Sequence, residues 1–252
     1  MREIKFRDVC FTVVDQNPLF WDGLTAGTWE NSTFSAIDSH VDRETEFLDF
    51  GAWVGAVTLY AASKARRVVS FEADPIAAIK LRRNVALNPD LASRISIIER
   101  AVSPTPGPVM MGAKRMQGDS MSSALHVDSL VRWEVDAATP AAISETIPPD
   151  APLFMKIDIE GGEYRLAAAL WPLLRRPRVT VLIAFHPYFA AGGHPRWHKT
   201  VPMTRRVFQV FKGFKMYRVD RRPLRRDPVI ERLSSLSAAY FEARHSWLFV
   251  KG

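Results

Sequence analysis

Four short groups of residues carry side chains suited to chemistry, and their spacing relates them. The first, Asp49-x-Gly51-Ala52-Trp53-x-Gly55, follows the apolar run Phe47 to Phe50 and precedes a helical one. In the second, Glu72 ends another apolar run, 21 residues beyond Gly51. Next, Lys156, Asp158 and Glu160 alternate along the run that begins at Leu153, so the period of two places them on one face of a strand. Last, His186 closes the run Arg178 to Phe185, just before Pro187. A glycine turn between strand and helix lets a ligand approach the backbone, and an acid at the end of the next strand accepts the hydroxyls of a ribose. An imidazole beside paired carboxylates can align an oxygen nucleophile and manage its proton.

The elements that must hold these groups follow from hydrophobic patterning. Strands are expected at Phe47–Phe50, Arg67–Glu72, Ile95–Val102, Leu153–Glu160, Arg178–Phe185, Lys215–Val219 and Ser246–Val250. Helices are expected at Ala56–Ala65, Pro75–Leu87, Glu163–Leu174 and Met203–Phe214, with shorter elements between residues 109 and 152. Alternation of this kind gives an α/β fold, a mainly parallel sheet with helices on both faces. Ligands bind beyond the carboxyl ends of such strands, so Asp49, Glu72, Ala101, Asp158, Glu160 and His186 should line one crevice. Residues 1–45 read as an N-terminal extension or lid with a strand pair, a turn at Asn17-Pro18 and a helix from Ser32 capped by Asn31. Glu30 of this segment is expected to reach a polar group of a cofactor.

Which cofactor follows from what the turn lacks. The middle glycine of a dinucleotide fingerprint is replaced by Trp53, whose indole would crowd a pyrophosphate. A phosphate-binding lysine loop is absent too. An adenosyl cofactor without phosphates fits: S-adenosylmethionine needs a close turn for its methionine part (Asp49, Gly51, Ala52, Trp53, Gly55), a carboxylate for its ribose (Glu72) and an apolar slot for adenine near Ala101. The polar loop Gly118 to Ser123 is a further candidate for cofactor or substrate contact.

On the opposite wall His186 is the candidate base, with Asp158 to orient it or hold the acceptor and Glu160 or Glu163 to bind substrate hydroxyls. The plainer alternative makes Asp158 or Glu160 a cap of the following helix, and His186 a strand-end histidine bonded to backbone. His186, His194 and His198 fall within thirteen residues, but loop histidines without cysteine partners are weak zinc ligands, and no required metal is expected.

Composition bounds the rest. The 252 residues are 47% hydrophobic, enough for one sizeable core, and the single cysteine, Cys10, allows no internal disulfide, which fits a cytoplasmic setting. No run approaches the roughly 20 apolar residues of a membrane span. The net charge of +7 is uneven: 12 Lys/Arg against 3 Asp/Glu fall between Arg196 and Arg232, leaving 22 against 24 elsewhere. Arginine pairs among aromatic residues there can attract RNA. Yet Val207, Phe208, Val210, Phe211 and Phe214 have helical spacing and read as core, so a solvated face or an anionic small substrate ranks above nucleic acid.

Several stretches together resemble the FkbM family of methyltransferases. They are Leu48-Asp49-Phe50-Gly51-Ala52 with Gly55, Val69 to Pro75, Asn84 with Asn88-Pro89, Ala101-Val102-Ser103 with Gly107, Lys156 to Glu163, and His186-Pro187. The resemblance covers about residues 28–190 and implies a class I methyltransferase (Rossmann-like) fold over residues 46–252, S-adenosylmethionine as methyl donor, and methylation of a hydroxyl on a small molecule such as a sugar or natural product. Two positions depart from the family pattern: Trp53 stands where many members have Asn, and Ala184 where many have Glu. An RNA methyltransferase, or a fold that binds the cofactor without catalysis, are the alternative readings.

Overall fold

Alternating apolar residues near the N-terminus make an antiparallel hairpin of β1 (Arg2–Phe6) and β2 (Val9–Val13), in which Ile4 faces Phe11. The computed structural model describes residues 1–126, 129–192, 197–219, 225–226 and 246–251. Two helices follow the hairpin, α1 (Pro18–Thr25) and α2 (Asn31–His40). Where a turn is expected at Asn17-Pro18, Pro18 instead opens α1, since a proline suits the first turn of a helix. The cap position of α2 belongs to Glu30, with φ 42°, rather than to Asn31.

The core then begins. It comprises β3 (Glu46–Phe50), α3 (Ala56–Ala62), β4 (Arg67–Phe71), α4 (Pro75–Ala86), the short α5 (Pro89–Ala92) and β5 (Ile95–Ile98). An inserted three-stranded sheet follows, made of β6 (Ala101–Val102), β7 (Gly107–Ala113) and β8 (Val131–Ala138) in the order β6-β8-β7. The run Ile95–Val102 is therefore not one strand. It breaks at Glu99-Arg100, and Ala101 leaves the main sheet to pair with Ala137. After α6 (Pro140–Glu145) the core resumes with β9 (Leu153–Ile157). The expected single helix over Glu163–Leu174 is instead α7 (Glu163–Leu166), a 3₁₀ turn (Ala167–Leu170) and α8 (Trp171–Leu174). Pro172 lacks the donor that a continuous helix would require there. The chain continues through β10 (Val179–Ala184), α9 (Pro187–Ala190), α10 (Trp197–Val210), β11 (Lys215–Val219), β12 (Arg225–Arg226) and β13 (Ser246–Val250).

The main sheet runs β12-β11-β13-β10-β9-β3-β4-β5. From β10 to β5 every pairing is parallel, and β13 inserts antiparallel between β10 and β11. The chain leaves β3 towards β4 and β5, then returns to β9 on the other side. The end of β3 is thus a switch point, where a crevice opens in doubly wound sheets.

Both faces of the sheet are buried, which is why its strands read as nearly continuous apolar runs. Phe47, Phe154, Leu182 and Leu248 meet α3 and the N-terminal segment on one face. Leu48, Met155, Val181, Trp247 and Phe249 meet Leu166, Leu170, Leu173, Phe208 and Phe211 on the other. Two asparagines tie the N-terminal segment to α4 and the helix end beyond it. Asn88 accepts from the Thr12 N–H at 2.8 Å and donates to the Thr12 carbonyl at 2.7 Å, and Asn84 accepts from the Val14 N–H at 2.8 Å.

Candidate active site

At the end of β3 the chain turns sharply. Gly51 adopts φ +84°, and a Cβ there would stand 2.0 Å from the Asp158 carbonyl oxygen, so this glycine is required by the neighbouring end of β9. The N–H groups of Gly51 and Ala52 donate to the Phe71 carbonyl, and that of Trp53 donates to Glu72 Oε2 at 2.6 Å. Glu72 Oε1 accepts from the Asp74 N–H at 2.8 Å. Burial pushes the Glu72 carboxyl up to about 7, against these two hydrogen bonds. Gly55, with φ +92°, faces Leu81, which a Cβ would meet at 2.5 Å; it serves the contact of α3 with α4.

Asp49 lies beneath the turn, wholly buried. Its Oδ2 accepts from the Thr58 hydroxyl at 2.7 Å, and its Oδ1 is 3.4 Å from Lys156 Nζ. Lys156 Nζ also donates to the Gly51 carbonyl at 2.8 Å and lies 3.5 Å from Asp158 Oδ2. Burial works against the charge of Lys156, but Asp158, Asp49 and Glu30 together raise its pKa. Burial raises the pKa of Asp49, with Lys156 opposing. One ammonium thus ties the ends of β3 and β9.

Trp53, at φ 48°, directs its indole away from the turn. The Nε1–H donates to the Gly118 carbonyl at 3.2 Å, and the ring meets Phe20 edge-on with centroids 4.6 Å apart. Lys80 Nζ donates to the same carbonyl. The Gly118 N–H and the Ser122 hydroxyl donate to Asp74 Oδ2 at 2.6 and 2.8 Å. Asp74 also caps α4 through its other oxygen. It escapes a reading for chemistry because an Asp before Pro75 is an ordinary helix start.

These parts enclose a cavity of about 380 Å³, lined by Gly51, Trp53, Glu72, Ala101, Asp158 and Glu160 among the residues expected. Asp49, Ala52, Gly55, Glu30 and His186 are not on its wall. Phe71, Val102, Pro108, Val109 and Met111 supply an apolar slot, with Arg100 and Arg165 at the rim. The apolar contributions from the inserted sheet carry no periodic signal that separates them from ordinary strand residues.

Beyond β9 and β10 lies a charged cluster. His186 Nε2 is 3.6 Å from Asp158 Oδ1 and 3.7 Å from Glu160 Oε2, and Nδ1 is 3.5 Å from Glu163 Oε1. Burial works against a proton on His186, but Glu163, Asp158 and Glu160 lift its pKa to about 10. The surrounding carboxylates thus favour a proton on the imidazole. Burial raises Glu160 to about 7, with His186 opposing. Glu163 is buried, accepting from the His186 N–H at 2.6 Å and the Gly161 N–H at 2.8 Å; it supports the cluster from behind. Glu30 is raised to about 7, first by burial and then by the charge of Asp158, with Lys156 opposing. Its carboxylate accepts from the Thr33 hydroxyl.

Phe208 and Phe211 of the basic stretch are core residues packed on Phe249. His194, Arg196, Arg221-Arg222 and the tract 227–232 lie outside the described residues. Among the described residues no helix is long and apolar enough to cross a membrane.

The sheet order, the switch-point crevice and the turn-plus-acid pair define a class I methyltransferase fold. A match to the methyltransferase FkbM domain spans residues 49–215, more than half of the chain. The chain belongs to the FkbM methyltransferase family, and S-adenosylmethionine is its cofactor. Among solved structures it is similar to the FkbM methyltransferase of Methylobacillus flagellatus KT (14% identity, TM-score 0.47), covering 90% of this chain and 60% of that one. It is also similar to an O-methyltransferase from Bacillus cereus in complex with SAH (13%, TM-score 0.47), covering 88% and 80%. A third similarity is to an rRNA methylase from Streptococcus thermophilus (11%, TM-score 0.35), covering 61% and 68%. No match is found among curated proteins.

Proposed function

We propose that the protein is an O-methyltransferase acting on a hydroxyl of a small molecule, a sugar or natural product, with an anionic group compatible with the basic C-terminal stretch. The observation that carries this reading is the meeting, in one cavity, of Glu72 and an apolar slot with the carboxylates of Asp158 and Glu160. The free lone pairs of Glu72 suit the two ribose hydroxyls, and Phe71, Ala101, Val102 and Met111 suit the adenine. The turn Gly51–Trp53 then faces the methionine part, held in shape from below by Asp49 and Lys156. Its N–H groups are already bonded to Phe71 and Glu72, an arrangement with little to offer a pyrophosphate. We read residues 1–45 as the lid of this site, since Phe20 packs on Trp53 and Glu30 senses the charge of Asp158.

S-adenosylmethionine supplies an activated methyl group, so the protein must chiefly align the acceptor oxygen with it. The C–O bond forms as the C–S bond breaks, and the C–S electron pair stays on sulfur. The acceptor hydroxyl gives up its proton to the Asp158–Glu160–His186 cluster, where Glu160, near 7, is the group able to take it. His186, carrying its own proton, offsets the negative charge gathered there. The test is incubation with methyl-labelled S-adenosylmethionine and fractionated cell extract. Label should enter a small molecule in a base-stable ether linkage; label in RNA, or in no fraction, would overturn the reading.

A further inference from the structure

We propose that Asp158, Glu160 and His186 form a divalent-cation site, of the Mg²⁺ or Mn²⁺ kind, at the acceptor end of the crevice. One ligand atom from each of the three side chains lies within 4.8 Å of the others. The two carboxylate oxygens stand 3.6 and 3.7 Å from His186 Nε2, beyond the roughly 2.7–3.2 Å of an N–H···O bond. Ligands at right angles around an ion with bonds of about 2.1–2.5 Å lie about 3.0–3.5 Å apart. The two gaps to His186 exceed that range by only about 0.1–0.2 Å.

The second observation lies behind the histidine. Glu163 is 1% exposed and places Oε1 3.5 Å from Nδ1, while the same carboxylate is fixed by the N–H groups of His186 and Gly161. A metal-bound histidine usually has a carboxylate on its far ring nitrogen; Glu163 Oε1 stands on that side at 3.5 Å, a few tenths of an ångström from closing the bond. Nε2 is left facing two carboxylates, and an ion seated between them would take the place of the proton that otherwise sits on the ring. Lys156 is taken up on the other oxygen of Asp158, by Asp49 and by the Gly51 carbonyl, so it does not fill that place. Asp158 and Glu160 both line the cavity, and the remaining positions of the ion would face the acceptor.

The role of the ion rests on the methyl-transfer reading. With it bound, Asp158, Glu160 and a deprotonated His186 would hold the ion, which would acidify the acceptor hydroxyl; the protons of His186 and of the acceptor would then pass to water rather than to Glu160. The test is titration of the untagged, chelator-treated full chain with Mn²⁺ alone, followed by the electron paramagnetic resonance signal of free Mn²⁺. One ion per chain is expected, with affinity falling at least about tenfold in Asp158→Asn and Glu160→Gln, and about 10–100-fold in Glu163→Gln. No uptake at millimolar Mn²⁺, or uptake unchanged in all three variants, would overturn the site. S-adenosylmethionine titration of the same variants reports folding independently. Cofactor binding and label transfer without Mn²⁺ uptake sink the ion site alone, whereas Mn²⁺ uptake with no label transfer sinks the proposed reaction alone.

Discussion

The two ends of the crevice are built on opposite principles. At the cofactor end the turn's polar groups are already paired: Gly51, Ala52 and Trp53 bond to Phe71 and Glu72, and Gly118 is held from three sides, with distances of 2.6 to 3.2 Å. At the acceptor end Asp158, Glu160 and His186 gather charge, but His186 Nε2 stands 3.6 and 3.7 Å from the two carboxylates. The first end is rigid before anything binds, which limits the ordering cost of binding. The second holds its groups near one another without closing their bonds, leaving room for an incoming group to complete them.

Substitutions can break this contrast. The largest effect is expected from Asp158→Asn, which should lower methyl transfer about 10²–10⁴-fold while S-adenosylmethionine affinity stays within about threefold; an equal loss in both would mean the ends do not act separately. Gly51→Ala strikes their junction. It combines a left-handed backbone with a clash against the Asp158 carbonyl, and should destabilise the fold by about 2–4 kcal/mol in chemical unfolding. Glu72→Ala removes charge-assisted bonds worth about 1.5–3 kcal/mol, so calorimetry should show cofactor affinity falling at least about tenfold, and thermal stability should fall as well because the Trp53 and Asp74 N–H groups lose their acceptor.

A pH series sharpens the same end. Because burial holds the free Glu72 carboxyl near 7, it is largely protonated at pH 6 and ionised at pH 8. Ribose hydroxyls favour the ionised form, so affinity should rise about tenfold between pH 6 and pH 8, and Glu72→Gln should flatten that slope. The smallest effect is expected from Trp53→Phe. It keeps the ring against Phe20 but loses the bond to Gly118, about 0.5–1.5 kcal/mol, read as faster hydrogen exchange in the 114–126 loop.

The contrast also marks what sequence can carry. The spacing of strand ends brings Gly51, Glu72, Asp158 and Glu160 to one cavity; strand periodicity does not reach the last two, because the strand expected over Leu153–Glu160 stops at Ile157 and Glu160 lies in a turn with φ 51°. The charge state of His186 is not legible. It depends on Glu163, which follows β9 and reaches across to the end of β10, a meeting fixed only by tertiary packing. Asp49 reads as a ligand contact, yet its burial follows from Lys156, 107 residues later. The break between β5 and β6 falls at Glu99-Arg100, a charged pair that interrupts the alternation of Ile95–Val102, but a charged pair of this kind also occurs within strands and does not by itself mark a change of sheet. Trp53 reads as an obstacle to pyrophosphate and a member of the cofactor turn, but its partner Gly118, 65 residues away, is not legible.

Asn88 has a consequence outside the crevice. Its side-chain amide gives and takes one hydrogen bond with Thr12, as one peptide unit of a neighbouring strand would, and Asn84 adds a third bond at Val14. The outer margin of β2 is thereby occupied by side chains instead of a strand. An open margin of that kind is a template for another chain. Asn84 on α4 and Asn88 at the start of α5 thus guard the hairpin against self-association, and removing both would turn a folding contact into a solubility defect.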